Sequence, residues 1–260
     1  MIWSSARITL RLRRTGTISA AVGLVAVMIV VGALFPSVGH TIGKIDVPSG
    51  VANLLGGADY GTITGWFRSE IAEIYGPLVI AGLAITAASA TTAGEEEDRI
   101  LALILAHPVR RSRLVMARAV AISAIVVFIA FAVWIGLLAG VAAGGGGIGV
   151  SNITALAVQL GFFGLASGAV ALAIGAGTGR RSLANGGAAA VAILGWLVNS
   201  FAPLASGVSW LKYLAPFYYY AGHDPLAHGV DFTGIVVLGL FTLALFAAAI
   251  LSFEGRDLRA

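Results

Sequence analysis

From Ala119 to Gly179 the chain runs for 61 residues without an aspartate, glutamate, lysine or arginine. A water-soluble fold does not tolerate such a run, because its helices and strands must present a polar face to solvent. A bilayer core asks for about 20 apolar residues per spanning helix, so the run holds two such helices and a turn. The turn falls at Gly144-Gly145-Gly146-Gly147, before Ser151-Asn152, where consecutive glycines disfavour helix continuation.

Further apolar runs flank this one. They predict an all-α polytopic membrane protein with six transmembrane helices, at about 17–38, 74–94, 119–143, 153–176, 183–202 and 232–253. Strands are excluded, since the runs are continuous and exceed the 9–11 residues of a barrel strand. Hydrophobic residues make up 58% of the chain and charged residues 11%, against about 45–50% and 25% in ordinary globular proteins. A nucleic-acid binder and a secreted scaffold are excluded with the soluble class. The absence of cysteine removes disulfides and thiolate chemistry.

The cations set the orientation. Arg7, Arg11, Arg13 and Arg14, then Arg99, Arg110, Arg111, Arg113 and Arg118, then Arg180, Arg181, Arg256 and Arg259 fall on one side; Lys44, Arg68 and Lys212 fall on the other. Cytoplasmic loops carry the excess of lysine and arginine, so both termini are expected in the cytoplasm.

Residues 1–16 place Arg7, Arg11 and Arg14 on one helical face and Ile8 and Leu12 on another. That pattern reads as an interfacial amphipathic helix or as a basic flank that fixes topology. The segment 95–113 is the most informative. Glu95, Glu96, Glu97 and Asp98 precede Arg99 and the apolar stretch Ile100, Leu101, Ala102, Leu103, Ile104, Leu105, Ala106; Pro108 breaks it, with Arg110 and Arg111 beyond. The carboxylates suit the positive start of one short helix, and Ser112 is expected to cap the next membrane helix. Seven apolar residues are too few to span and are apolar on every face, so they either fill a groove on a cytoplasmic partner or lie on the bilayer surface.

On the opposite side, Trp66-Phe67 reads as an interface anchor, and Glu70 and Glu73 either mark the water boundary or line a vestibule. Residues 203–231 form a loop dense in aromatics, expected to hold a re-entrant or interfacial element. His223, Asp224, His228 and Asp231 within it match no standard zinc spacing, and no metal is expected. Gly136-x-x-x-Gly140, Gly164-x-x-x-Gly168 and Gly175-x-x-x-Gly179 are spacings that let helices approach closely.

In its order of acidic run, leucine-rich stretch and Pro108-Val109-Arg110-Arg111, the chain resembles the permease subunits of type-2 ABC exporters, whose fold is shared by ABCG-like transporters. Ala215-Pro216-Phe217-Tyr218-Tyr219-Tyr220, Asp224-Pro225-Leu226 and Phe253-Glu254-Gly255-Arg256-Asp257-Leu258 are similar to the prokaryotic branch. Asp98-Arg99, where Gly-Thr is usual, and Arg110, where a small polar residue is common, depart from that pattern.

The resemblance implies that 95–113 contains a coupling helix between helices two and three. It would dock on a separate ATPase, in two copies, through Glu95, Glu96, Glu97, Asp98, Arg99, Ile100, Leu101, Leu103, Ile104, Leu105, Arg110 and Arg111. It implies a second permease chain, identical or paralogous, in the cell membrane of a prokaryote, and a substrate path lined by Thr86, Ser89, Trp196 and Asn199. This chain has no Gly-x-x-x-x-Gly-Lys-Ser/Thr loop, so it is expected not to be an enzyme and to bind no cofactor, with ATP and Mg on the partner. Three rivals are a membrane enzyme, whose only opening is the outer His223–Asp231 group, an ion-coupled secondary transporter, with Glu73 as its best ion site, and an assembly subunit that moves nothing.

Overall fold

The computed structural model describes residues 2–39, 41, 59–105, 110–204 and 207–256; Lys44, Asp46, His107, Pro108, Val109 and Arg259 lie outside them, as do the side chains of Arg7, Ile8, Leu12, Leu103 and Leu105. The secondary structure among the described residues is helical throughout, and six helical runs are long and apolar enough to cross a membrane.

The first run is α1 (Ile2–Leu34), closed by a π-helical turn over Phe35–Gly39. The second run opens with α2 (Ile63–Phe67), passes through a π-helix over Arg68–Tyr75 and continues as α3 (Gly76–Ala90) and α4 (Ala93–Glu97). A short helix α5 (Ile100–Leu105) follows, then α6 (Arg111–Ala143), α7 (Val150–Thr178) and α8 (Arg181–Phe201). Beyond a 3₁₀ turn over Ser209–Leu214 come α9 (Pro216–Ala221), α10 (Pro225–His228) and α11 (Phe232–Gly255).

The helices outrun the apolar segments read from sequence, most of all before span two, which starts at Ile63 rather than near 74. Hydropathy marks the hydrocarbon slab, whereas the helical hydrogen-bond ladder continues until a cap or a break stops it. Thus α1 carries on through Arg11, Arg13 and Arg14 with no hinge before the span. The glycine turn breaks as expected: Gly145, Gly146 and Gly147 all take positive φ.

The bundle is built around α7, which packs against α3, α6, α8 and α11. In its most apolar window 67% of residues are buried, against 22% in the fifth and sixth spans. Those two spans therefore keep most of their surface for lipid or partners. Span one lies along α6, and the fit there is backbone to backbone. A side chain at Gly32 would collide with the Gly140 carbonyl, and one at Gly136 would meet Met28 Sδ at 2.7 Å. Gly164 and Gly168 do the same work between α7 and its neighbours, where added carbons would meet Ile80 and Ile122 at 2.8 and 2.9 Å. All three small-residue spacings sit at helix contacts.

One expectation is corrected. Trp66 and Phe67 are not an interface anchor: they are 6% and 0% exposed, and Trp66 Nε1 donates to the Val31 carbonyl at 2.9 Å. The helix already begun at Ile63 turns both rings inward, Trp66 against span one and Phe67 beside Gly140 of α6.

Candidate functional site

The acidic run between spans two and three is used inside the protein. Arg118, on the second turn of α6, holds Glu95 with Nη2 2.8 and 2.9 Å from the two carboxylate oxygens. Glu96 pairs with Arg256 at the end of α11. Glu97 Oε1 accepts from the backbone N–H of Arg181 at 2.9 Å, at the start of α8. Arg111 Nη1 donates to the Arg256 carbonyl at 2.8 Å. Three consecutive carboxylates thus tie the end of span two to spans three, six and five. The two ion pairs are largely out of water, with Arg118 4% exposed and Glu96 8%, whereas Glu97 is exposed. Ion pairs so placed lose little to solvent screening and are strongly destabilising to break.

Gly179 completes the clamp. It ends α7 in the left-handed conformation, at φ 65°, and a side chain there would strike the Arg256 guanidinium and Glu96. Glycine is required both for the turn and for the space.

The sequence suggested one short helix opened by four carboxylates. The structure instead has two helices, with a corner at Asp98 and Arg99, where Arg99 takes φ 59°; Thr92, at φ 48°, sets α4 off from α3. Such values are uncommon for residues other than glycine and turn the chain sharply. Ser112 does not cap α6 either; Arg110 occupies the cap position and the helix begins at Arg111. Asp98, Arg99, Ile100 and Arg110 are exposed, whereas Leu101 is 2% exposed and belongs to the core. Of the segment's residues, Asp98, Arg99 and Ile100 therefore form its outward corner, and Ile104 is half-buried.

The residues proposed for a path lie on α3 and α8, which touch. Thr86 is exposed, with its hydroxyl donating to the Gly82 carbonyl at 2.7 Å. Ser89 is fully buried and donates to Thr86 O at 3.4 Å, so it lines no open surface. Trp196 and Asn199 are half-buried on α8. Asn185, which sequence reading passed over, shares their face at i, i+11 and i+14. Trp196 Nε1 and Asn185 Oδ1 are both buried without a hydrogen-bond partner among the described residues. The signal was present in the helical spacing of three polar side chains on an apolar helix.

At the opposite end of span two, Arg68 Nη1 donates to Asp224 Oδ2 at 2.6 Å, and Tyr220 Oη donates to the Ala72 carbonyl at 2.7 Å. The π-helix puts Arg68, Ala72 and Glu73 here, and Glu73 is 5% exposed. It lies among protein groups rather than marking a water boundary. Burial, with Glu73 and Asp224 nearby, pushes the Tyr220 phenol well above its ordinary range, so it stays a donor. The 203–231 segment folds back onto the bundle: Phe163 stacks on Tyr220 at 5.3 Å and meets Phe217 edge-on at 5.6 Å. Asp224 is engaged by Arg68, and His228 Nδ1 lies 3.1 Å from the His223 carbonyl. No metal-holding group of three acidic or histidine side chains occurs among the described residues.

No curated protein matches this sequence. The family described as the multidrug efflux system permease Rv1217c, C-terminal domain, matches residues 4–254. That span takes in the membrane helices to within one residue of the sixth helix's end, Glu95–Glu97 with Arg118 and Arg181, and the 203–231 segment, while Arg256 falls just beyond it; the chain belongs to this family of efflux permease domains.

Proposed function

We propose that the chain is the membrane-spanning subunit of an ATP-driven exporter, which forms the translocation path and receives its power stroke from a separate ATPase. The observation that carries this reading is the clamp. A force applied at the Asp98–Ile100 corner enters α4, and Glu95, Glu96 and Glu97 pass it directly to spans three, six and five. A loop lying idle on a bilayer needs no such wiring. The ATPase, in two copies, would bring ATP and Mg; membership of an efflux permease family supports the outward direction.

A second permease chain, identical or paralogous, would complete the transporter, with the substrate path between spans two and five. Thr86, Trp196, Asn199 and Asn185 are the candidate lining of that path. With the corner in the cytoplasm of a prokaryotic cell, the arginine-rich ends fall on the same side as both termini.

The test is copurification with a candidate ATPase. Ile100→Glu, and Asp98→Ala with Arg99→Ala, alter exposed positions without touching the core, so they should release the ATPase from an otherwise folded permease. Retention of the ATPase by both variants overturns the docking assignment.

Glu73 favours a second reading. A carboxylate buried on a spanning helix beside Arg68 and Asp224 is the kind of group an ion-coupled transporter uses. Efflux that fails when the proton gradient is dissipated at constant ATP, and that is abolished in Glu73→Gln, supports this reading over the first.

A further inference from the structure

His223 lies two residues before α10 and His228 ends it; both are exposed, at the end of the bundle opposite the clamp. Between them Asp224 takes a left-handed φ of 51°, which aspartate tolerates better than most residues and which doubles the chain back. The two imidazole centres thereby come within 5.5 Å, their planes 51° apart. His228 Nδ1 lies 3.1 Å from the His223 carbonyl. A carbonyl only accepts, so Nδ1 carries the proton and Nε2 keeps its lone pair. The backbone that presents both rings is fixed from several sides. Arg68 holds Asp224, and Asn152 Nδ2 donates to the Leu226 carbonyl at 2.8 Å. The His228 and Gly229 amides donate to the Asp224 and Pro225 carbonyls at 2.9 and 3.0 Å. Pro225 and Leu226 are buried.

We propose that His223 and His228 form a two-histidine site for a divalent transition-metal ion such as zinc, with water in its remaining positions. Tetrahedral zinc takes imidazole nitrogen at about 2.0–2.1 Å, which sets the centres of two imidazoles on one ion about 5.3 Å apart. The ring centres here stand at 5.5 Å. A ring N–H given to a main-chain carbonyl is also how histidine ligands fix their tautomer and leave the other nitrogen for the metal. Imidazole selects zinc, copper and nickel over calcium and magnesium, which want oxygen. Asp224, the nearest carboxylate in sequence, is held by Arg68, so the protein supplies two ligands and not three. The spacing of the two histidines matches no zinc signature; the left-handed turn at Asp224 is what joins them. A bound ion would tie the exit of α9 to the end of α10 and brace the Arg68–Asp224 contact with span two.

The chain has four histidines, so His40→Ala with His107→Ala isolates the pair, in the full chain purified in detergent without a histidine tag. Zinc titrated against a chromophoric chelator should bind this background once per chain, and zinc but not calcium should raise its melting temperature. Adding His223→Ala or His228→Ala removes a ligand. Each should weaken zinc by more than the roughly 10–100-fold that losing an outer-shell partner costs. Both positions are exposed, so without zinc these variants should melt as the background does. A readout that needs neither variant is Cu²⁺ on the background chain, whose electron paramagnetic resonance spectrum should show two coordinated imidazole nitrogens. Zinc held equally well without either histidine, or copper held by fewer than two imidazoles, overturns the site.

Discussion

Glu96 and Arg256 are 160 positions apart in the chain, yet their carboxylate and guanidinium meet at the mouth of the bundle, over Gly179. This pair closes span six onto the end of span two. Together with Glu95 on Arg118 and Glu97 on the Arg181 amide, it makes the segment before α5 a rigid part of the bundle.

Arg118→Met leaves Glu95 without its buried partner and should cost about 3–5 kcal/mol of stability. The double variant with Glu95→Gln should recover part of that loss. Thermal melts of the purified chain in detergent, arranged as a double-mutant cycle, measure the coupling. Strict additivity would show that the pair contributes nothing.

Gly179→Ala combines a strained left-handed φ with a carbon placed against Arg256 and Glu96. It is expected to cost about 1–3 kcal/mol and to uncouple ATP hydrolysis from efflux in reconstituted vesicles. A variant with unchanged melting and unchanged efflux would contradict the clamp.

Gly140→Val should push span one off α6, since its added carbon would fall against the Met28 backbone, at a cost of about 1–3 kcal/mol. Gly23→Val is the control: nothing lies within 4 Å of a side chain there. Equal melting temperatures for the two variants would refute the close approach.

Tyr220→Phe removes one hydroxyl and leaves the Ala72 carbonyl unpaired in a buried place. A loss of about 1–3 kcal/mol is expected, whereas Tyr75→Phe, at a 40% exposed position, should change little. If the two substitutions are equivalent in melts, the 203–231 segment does not lean on span two as described.

Asn185→Ala and Trp196→Ala should shift which compounds are expelled, read as changed resistance across a drug panel at constant expression. Ser89→Ala, at a fully buried position, should leave the panel unchanged. A panel altered by Ser89→Ala and untouched by the other two would move the path off the α8 face.

The sequence by itself determined the six membrane helices, the glycine break after Ala143, the glycine contacts between helices and the special character of 95–113. These follow from properties that are local or periodic. Transfer of apolar side chains into hydrocarbon adds up along the chain, and the 3.6-residue period places small residues on one face. What only the tertiary structure decided is where the polar groups go. Charge counting could see the crowded carboxylates of 95–97 but not that Arg118, Arg181 and Arg256 would claim them, because those partners come from three other spans. The inward turn of Trp66, the burial of Ser89 and Glu73, and the Tyr220–Ala72 bond have the same cause. In an apolar interior each polar group must find a partner, and packing brings that partner from distant parts of the chain.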